Sequence, residues 1–89
     1  MSVAVRAETL TSAETILSGD EMYRLGLDAS LGNDDVEADL VVAHKWFNLA
    51  SMQGHLEART YRKELSMEMS QEDIAEAQRQ AREYLTLRR

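Results

Sequence analysis

Residues 25–58 read LGLDASLGNDDVEADLVVAHKWFNLASMQGHLEA, and this stretch decides the fold. Its centre is predicted to be a helix capped by Asp39, because a carboxylate at that position accepts a hydrogen bond from a free backbone N–H group. The apolar residues that follow recur at the spacing of one helix face: Leu40, Ala43, Trp46, Phe47 and Ala50. The helix is expected to end near Gly54, a residue typical of helix C-termini.

A turn and an earlier helix are predicted before this central helix. Residues 32–35 are Gly-Asn-Asp-Asp, a composition that favours left-handed backbone and local side-chain hydrogen bonds. The earlier helix runs to about Leu31. It begins either near Thr11, which has capping-box spacing to Glu14, or after Gly19, where two acidic residues suit the positive end of the helix dipole.

Two further helices are predicted after Gly54. The third runs from about Leu56 to Met67, and Ser70 with Asp73 three residues later opens the fourth. The fourth helix carries apolar residues at helical spacing, namely Ile74, Ala77, Ala81 and Tyr84. Because the 89 residues contain no proline and four such segments, the sequence predicts an all-α fold.

The sequence also contains an internal repeat. The Asp-x-x-x-Ala motif at Asp39 recurs 34 residues later at Asp73, and Gly19 recurs as a glycine 35 residues later. Such a period is typical of helix-turn-helix solenoids. Residues 25–58 resemble the Sel-one-like repeat, a helical hairpin of the tetratricopeptide-like superfamily. The matching positions are Leu25, Gly26, Gly32, Val36, Asp39, Ala43, Trp46, Ala50, Gly54 and Ala58, with one extra residue between the third and fourth of them.

The resemblance implies an α-α superhelix (solenoid) fragment of about two helical hairpins. Residues 19–53 would form the Sel-one-like repeat hairpin. Residues 54–89 would form a degenerate capping repeat, since they lack the Leu-Gly pair and the tryptophan. Residues 1–18 would be an N-terminal segment that is flexible or partly helical. Small residues such as Gly26 would let two helices approach closely, with Trp46 and Phe47 buried between them.

Charge and composition exclude several classes of function. Residues 1–40 carry 9 acidic and 2 basic side chains, whereas residues 41–89 carry 7 and 8. This balance repels phosphate backbones, and no cluster of basic and aromatic residues offsets it, so we expect no nucleic-acid partner. No run approaches the roughly 18 apolar residues of a membrane span, so no membrane association is expected either. A cytoplasmic location is expected, with the periplasm left open.

No catalytic, cofactor or metal site is predicted. The two histidines, His44 and His55, lack ligand spacing and are expected to be surface or turn residues. The acidic loop lacks the pattern of a calcium-binding loop, and there is no nucleophile elbow or phosphate loop. The basic residues of the third and fourth helices are expected to form solvated faces: Arg59, Arg62, Lys63, Arg79 and Arg82. The alternative is that they bind an acidic partner, including the acidic half of a second copy.

The resemblance implies a non-catalytic helical-repeat module for protein–protein interaction, acting as an adaptor or scaffold. Two alternatives are a self-assembling structural homo-oligomer and a small regulatory subunit of an enzyme. The candidate interaction residues are Tyr23, Leu27 and Leu31, which recur at four-residue spacing beside a core stripe of Met22, Leu25 and Ala29. They predict a homodimer, or a tight complex with another protein, centred on Tyr23 and Leu27.

Overall fold

The computed structural model describes residues 17–87, which form four α-helices and no strand. Helix α1 spans Gly19–Leu31, α2 Leu40–Met52, α3 Leu56–Ser66 and α4 Gln71–Leu87. The all-α prediction is therefore confirmed for this part of the chain. Residues 1–16, with the predicted helix start at Thr11 and most of the N-terminal segment, lie outside the described residues.

Helix α1 begins with a capping box that the sequence analysis did not identify. The Ser18 hydroxyl accepts a hydrogen bond from the Glu21 N–H at 3.1 Å, and the Glu21 carboxylate accepts one from the Ser18 N–H at 2.8 Å. Two free donors at the helix end are satisfied in this way. Of the two predicted starts, the one at Gly19 agrees with the structure.

The predicted turn after α1 is present and is held by its own polar groups. Gly32 has a φ of 66°, and its N–H donates to the Asp28 carbonyl at 2.9 Å. The Asn33 side-chain oxygen accepts from the N–H groups of Asp35 and Val36 at 2.8 and 2.9 Å. The Asn33 N–H in turn donates to the Val36 carbonyl at 2.7 Å. The loop over residues 32–39 therefore has a defined shape.

Helix α2 is the central element of the fold. Its predicted cap is confirmed, since the Asp39 carboxylate accepts from the Val42 N–H at 3.1 Å. The helix packs against α1, α3 and α4, whereas α3 and α4 make few direct contacts with each other. The pair α3 and α4 is thus packed differently from the pair α1 and α2. The buried hydrophobic residues come from all four helices: Met22, Ala43, Phe47, Leu49, Ala50, Ala58, Ala77 and Ala81.

The predicted pairing of small and large residues is found where α1 crosses α2. A Cβ atom on Gly26 would lie 2.5 Å from Cε1 of Phe47, so only glycine admits the ring at this distance. Phe47 is 1% exposed, and Ala43 and Ala50 on the same helix are fully buried. These residues form the α1–α2 contact that the sequence predicts.

Three side chains differ from their expected burial. Leu25, expected in the core stripe of α1, is 37% exposed. Trp46 is only partly buried and meets Tyr84 edge-to-face, with ring centroids 5.2 Å apart. His44, expected at the surface or in a turn, is 2% exposed. For Trp46 and His44 the physical reason is the same: α2 has neighbours on three sides, so the side chains that become buried depend on where α3 and α4 pack. Leu25 lies on α1 and lines a cavity between α1, the 32–39 loop and α2, where it stays partly exposed.

Candidate interaction site

The three candidate interaction residues on α1 do not share one environment. Tyr23 and Leu27 are partly buried and pack against the core, whereas Leu31 is 78% exposed. The Tyr23 ring stacks on His55 with centroids 4.4 Å apart and lies 5.9 Å from the ring of Tyr61. Burial, together with the neighbouring Tyr61, raises the pKa of Tyr23 above its ordinary value. Much of the Tyr23 ring is therefore in contact with other residues of the same molecule.

His55 links the first turns of α1 and α3. Its Nδ1 accepts a hydrogen bond from the Ala58 N–H at 3.1 Å, which caps α3. Nδ1 is then unprotonated, so the ring proton is on Nε2 and is donated to the Asp20 carboxylate at 2.9 Å. A cleft of about 420 Å³ opens beside this pair and is lined by Asp20, Tyr23, Arg24, Leu27, His55 and Glu57.

A second cavity, of about 350 Å³, lies beside α1 and is bordered by the 32–39 loop and α2. The buried residues of α1, Met22 and Gly26, separate it from the first cleft. We call it the loop groove. Its lining consists of Leu25, Asp28, Ala29, Gly32, Asn33, Val36, Glu37, Asp39, Val42 and Trp46. Leu25 is 37% exposed and Val36 61% exposed. Three carboxylates, those of Asp28, Glu37 and Asp39, line the same cavity, so the groove combines apolar side chains with negative charge.

The outward side of α3 forms a third exposed surface. Its residues recur at helical spacing: Leu56, Arg59, Thr60, Lys63, Glu64 and Met67. We call them the outer α3 face. Leu56 is 71% and Met67 79% exposed, while Ala58 on the opposite side is fully buried. Within residues 17–87, neither Arg59 nor Lys63 forms an ion pair. The face therefore presents two apolar side chains and two cations to solvent.

Two of the other basic residues that were expected on solvated faces, Arg79 and Arg62, have protein partners. Arg79 and Glu76 pair on α4, as the three-residue spacing predicts, with Arg79 Nη2 2.8 Å from the carboxylate. Hydrogen bonds from Arg79 and Gln80 lower the pKa of Glu76 to about 2. Arg62 is not on a solvated face, since its Nη1 donates to Asn48 Oδ1 at 2.9 Å and to Ser51 Oγ at 3.0 Å.

A partly buried polar cluster between α2 and α3 was missed in the sequence analysis. The Ser66 hydroxyl donates a hydrogen bond to the Arg62 carbonyl at 2.9 Å. Ser66 Oγ therefore accepts a hydrogen bond from the N–H of His44 Nε2, also at 2.9 Å. His44 Nδ1 is then buried with no hydrogen-bond partner within residues 17–87. Burial, with the charge of Arg62 nearby, lowers the pKa of His44. The signal in the sequence was a polar stripe on α2 at residues 44, 48 and 51.

Over residues 17–87, no three metal-ligating side chains come together in a way that would hold a metal ion. None of the four helices is long and apolar enough to cross a membrane. Comparison with protein-family models, with curated proteins and with solved structures gives no match to this chain.

Proposed function

We propose that this protein is a non-catalytic protein–protein interaction module that binds its partner in the loop groove. The observation that carries the proposal is a groove between α1, the 32–39 loop and α2 that is lined both by exposed apolar side chains and by carboxylates. Exposed apolar side chains grouped in a concave surface mark interaction sites in proteins. The resemblance of residues 25–58 to an adaptor repeat supports the same function.

The lining of the loop groove indicates what kind of partner it takes. Leu25, Val36 and Trp46 offer contact to apolar side chains, and Asp28 and Glu37 offer charge to lysine or arginine. A partner with both features is an amphipathic helix with basic residues beside its apolar stripe. Because hydrogen bonds to Asn33 fix the loop, little conformational entropy is lost when such a helix binds.

The α1 face of Tyr23, Leu27 and Leu31 is the second candidate surface for the same function. Leu31, which is 78% exposed, extends it beyond the end of the core. The stacking of Tyr23 on His55 reduces the ring area that a partner can cover. The loop groove is favoured because Trp46 is its one lining residue, among residues 17–87, that packs against another aromatic ring. Its other apolar residues, such as Leu25 and Val36, are free to contact a partner.

Photocrosslinking in the native cell tests the proposal. A benzophenone amino acid at Val36 should give discrete covalent adducts, because this side chain lines the loop groove and is 61% exposed. The matched control carries the same amino acid at Glu72, which is exposed on α4. A third variant at Leu31 tests the α1 face. Adducts from Val36 that are no more abundant than those from Glu72 would exclude the loop groove as an interaction site.

A further inference from the structure

We infer that the partner in the loop groove is a second copy of this chain, which inserts its outer α3 face. This inference rests on the proposed function and names the occupant of the same site. The outer α3 face has the two features that the groove requires, since Leu56 and Met67 are exposed apolar side chains and Arg59 and Lys63 are exposed cations.

The charges of the two surfaces are complementary. The loop groove holds the carboxylates of Asp28, Glu37 and Asp39, and among residues 17–87 no basic side chain lines it, although Lys45 Nζ lies 4.6 Å from the centre of the Trp46 ring. The outer α3 face holds two cations one helical turn apart and the single carboxylate of Glu64. Opposite charges around an apolar contact fix the orientation of two partners and accelerate their association.

One molecule cannot join its own two surfaces while it keeps this fold. Helix α3 packs against α2 through the side that carries Ala58, so the outer α3 face points away from α2. The loop groove is itself lined by Val42 and Trp46 of α2. The contact must therefore form between copies. Two different surfaces meet in it, and in the head-to-tail arrangement of the copies each added copy leaves one groove and one outer α3 face free. A two-fold dimer would instead make both reciprocal contacts and stop at two copies.

Analytical ultracentrifugation of the full-length protein tests the inference. The contact is one short helix in one groove, so its area lies at the low end for specific interfaces and the affinity should be micromolar. The average mass should rise above 10.1 kDa as the concentration increases from about 10 μM to about 1 mM, without stopping at a dimer.

Two blocked variants test the head-to-tail geometry. V36K/E37K replaces two residues that line the loop groove by lysine. L56Q/K63Q/M67Q makes the outer α3 face polar and leaves it with no net charge. All five positions are exposed, so both variants should keep the helical circular-dichroism spectrum and melting temperature of the parent. Each alone should lose at least about 10-fold in self-affinity. Their equimolar mixture should form a 1:1 dimer and nothing larger, because each supplies the surface that the other lacks.

Three results would overturn the inference in different ways. A mixture that stays monomeric while the parent associates would replace the head-to-tail contact by a symmetric one. A monomeric parent with Val36 adducts to another protein would leave the proposed function standing and remove the second copy as partner. A monomeric parent whose Val36 crosslink leaves the mass of the chain unchanged would show that the groove holds a segment of its own chain.

Discussion

At the scale of single residues, the contact between Gly26 and Phe47 is the tightest constraint on the α1–α2 packing. Gly26→Ala should gain about 1 kcal/mol of helix propensity and lose about 1–3 kcal/mol through overpacking against a ring that is itself 1% exposed. We expect the free energy of unfolding in urea to fall by roughly 1 kcal/mol. The alanine should also shift the ring of Phe47, which the near-ultraviolet circular-dichroism spectrum would register.

A double-mutant cycle separates the ring contact from other effects of the alanine. Phe47→Leu removes the ring atoms that face Gly26, so in that background Gly26→Ala should be neutral or stabilising. An equal loss of stability in both backgrounds would mean that the glycine is needed for a reason other than the close approach of Phe47.

His44 should make the stability of the fold depend on pH. Its pKa is lowered in the folded state, because the ring is buried and Arg62 is close, while the unfolded chain binds the proton at an ordinary pKa of about 6.5. Below that pH the unfolded state binds more protons, so the free energy of unfolding should fall as pH decreases. The slope contributed by one proton is at most about 1.4 kcal/mol per pH unit. Urea unfolding between pH 7.5 and pH 5 measures it.

The matched control for this prediction is His44→Leu. The Ser66 hydroxyl proton is already donated to the Arg62 carbonyl, so removal of the imidazole leaves no donor without a partner. The variant should have a shallower pH dependence than the parent, since the other titrating groups are common to both proteins. Parallel profiles would show that His44 does not cause the acid sensitivity.

At the scale of elements, two turns carry glycines with positive φ that differ in their surroundings. At Gly32, φ is 66° and an added Cβ would lie 2.6 Å from the Ala38 nitrogen. At Gly54, φ is 86° and no contacting atom of residues 17–87 lies within 4 Å of the added Cβ. Gly54→Ala should cost about 1 kcal/mol from backbone conformation alone. Gly32→Ala should cost about 2–4 kcal/mol, because a steric clash is added to the strain.

Urea unfolding of the two glycine variants measures this difference. Because the 32–39 loop forms one wall of the loop groove, Gly32→Ala should also weaken any interaction made there, while Gly54→Ala should not. Equal losses of stability would mean that the backbone at residue 32 relaxes to accommodate the methyl group, and that the shape of the loop is less fixed than its hydrogen bonds indicate.

The sequence was sufficient to predict elements whose signals are local. Asp39 marks the start of α2, residues 32–35 mark the end of α1, and Ser70 with Asp73 marks the start of α4, where the Ser70 hydroxyl accepts from the Asp73 N–H at 3.0 Å. These signals involve residues within a few positions of one another, so periodicity and capping preferences are enough to find them. Of the two predicted starts of α1, the one after Gly19 agrees with the structure, while the capping box of Ser18 and Glu21 was not predicted.

The environments of side chains on α2 required information that the sequence does not carry. The first half of this helix is apolar on almost every side, so periodicity alone did not distinguish Phe47, which is buried, from Trp46, which is partly exposed. His44 was misassigned for the same reason. The neighbour of His44 is Ser66 of α3. The short connection of residues 53–55 indicates that α3 follows α2 closely, but it does not indicate which residues of α3 contact His44.

At the scale of the whole molecule, charges from the acidic first half and the balanced second half of the sequence become surfaces with separate positions. The carboxylates of Asp28, Glu37 and Asp39 line the loop groove, while Arg59 and Lys63 lie on the outer α3 face. A count of charges along the chain predicted an acidic first half, but it did not indicate that these carboxylates line one cavity together with apolar side chains. That property arises only when α1, the loop and α2 pack together.

The central position of α2 has a consequence for the order in which the chain folds. Helix α2 meets α1 and α3 across connections of residues 32–39 and 53–55, so these contacts close short loops, which cost little chain entropy. Helix α4 reaches α2 only after the chain has passed through α3. A folding nucleus of α1, α2 and α3 is thus entropically the least costly, and we expect α4 to dock last, onto a surface that the other three helices have already formed.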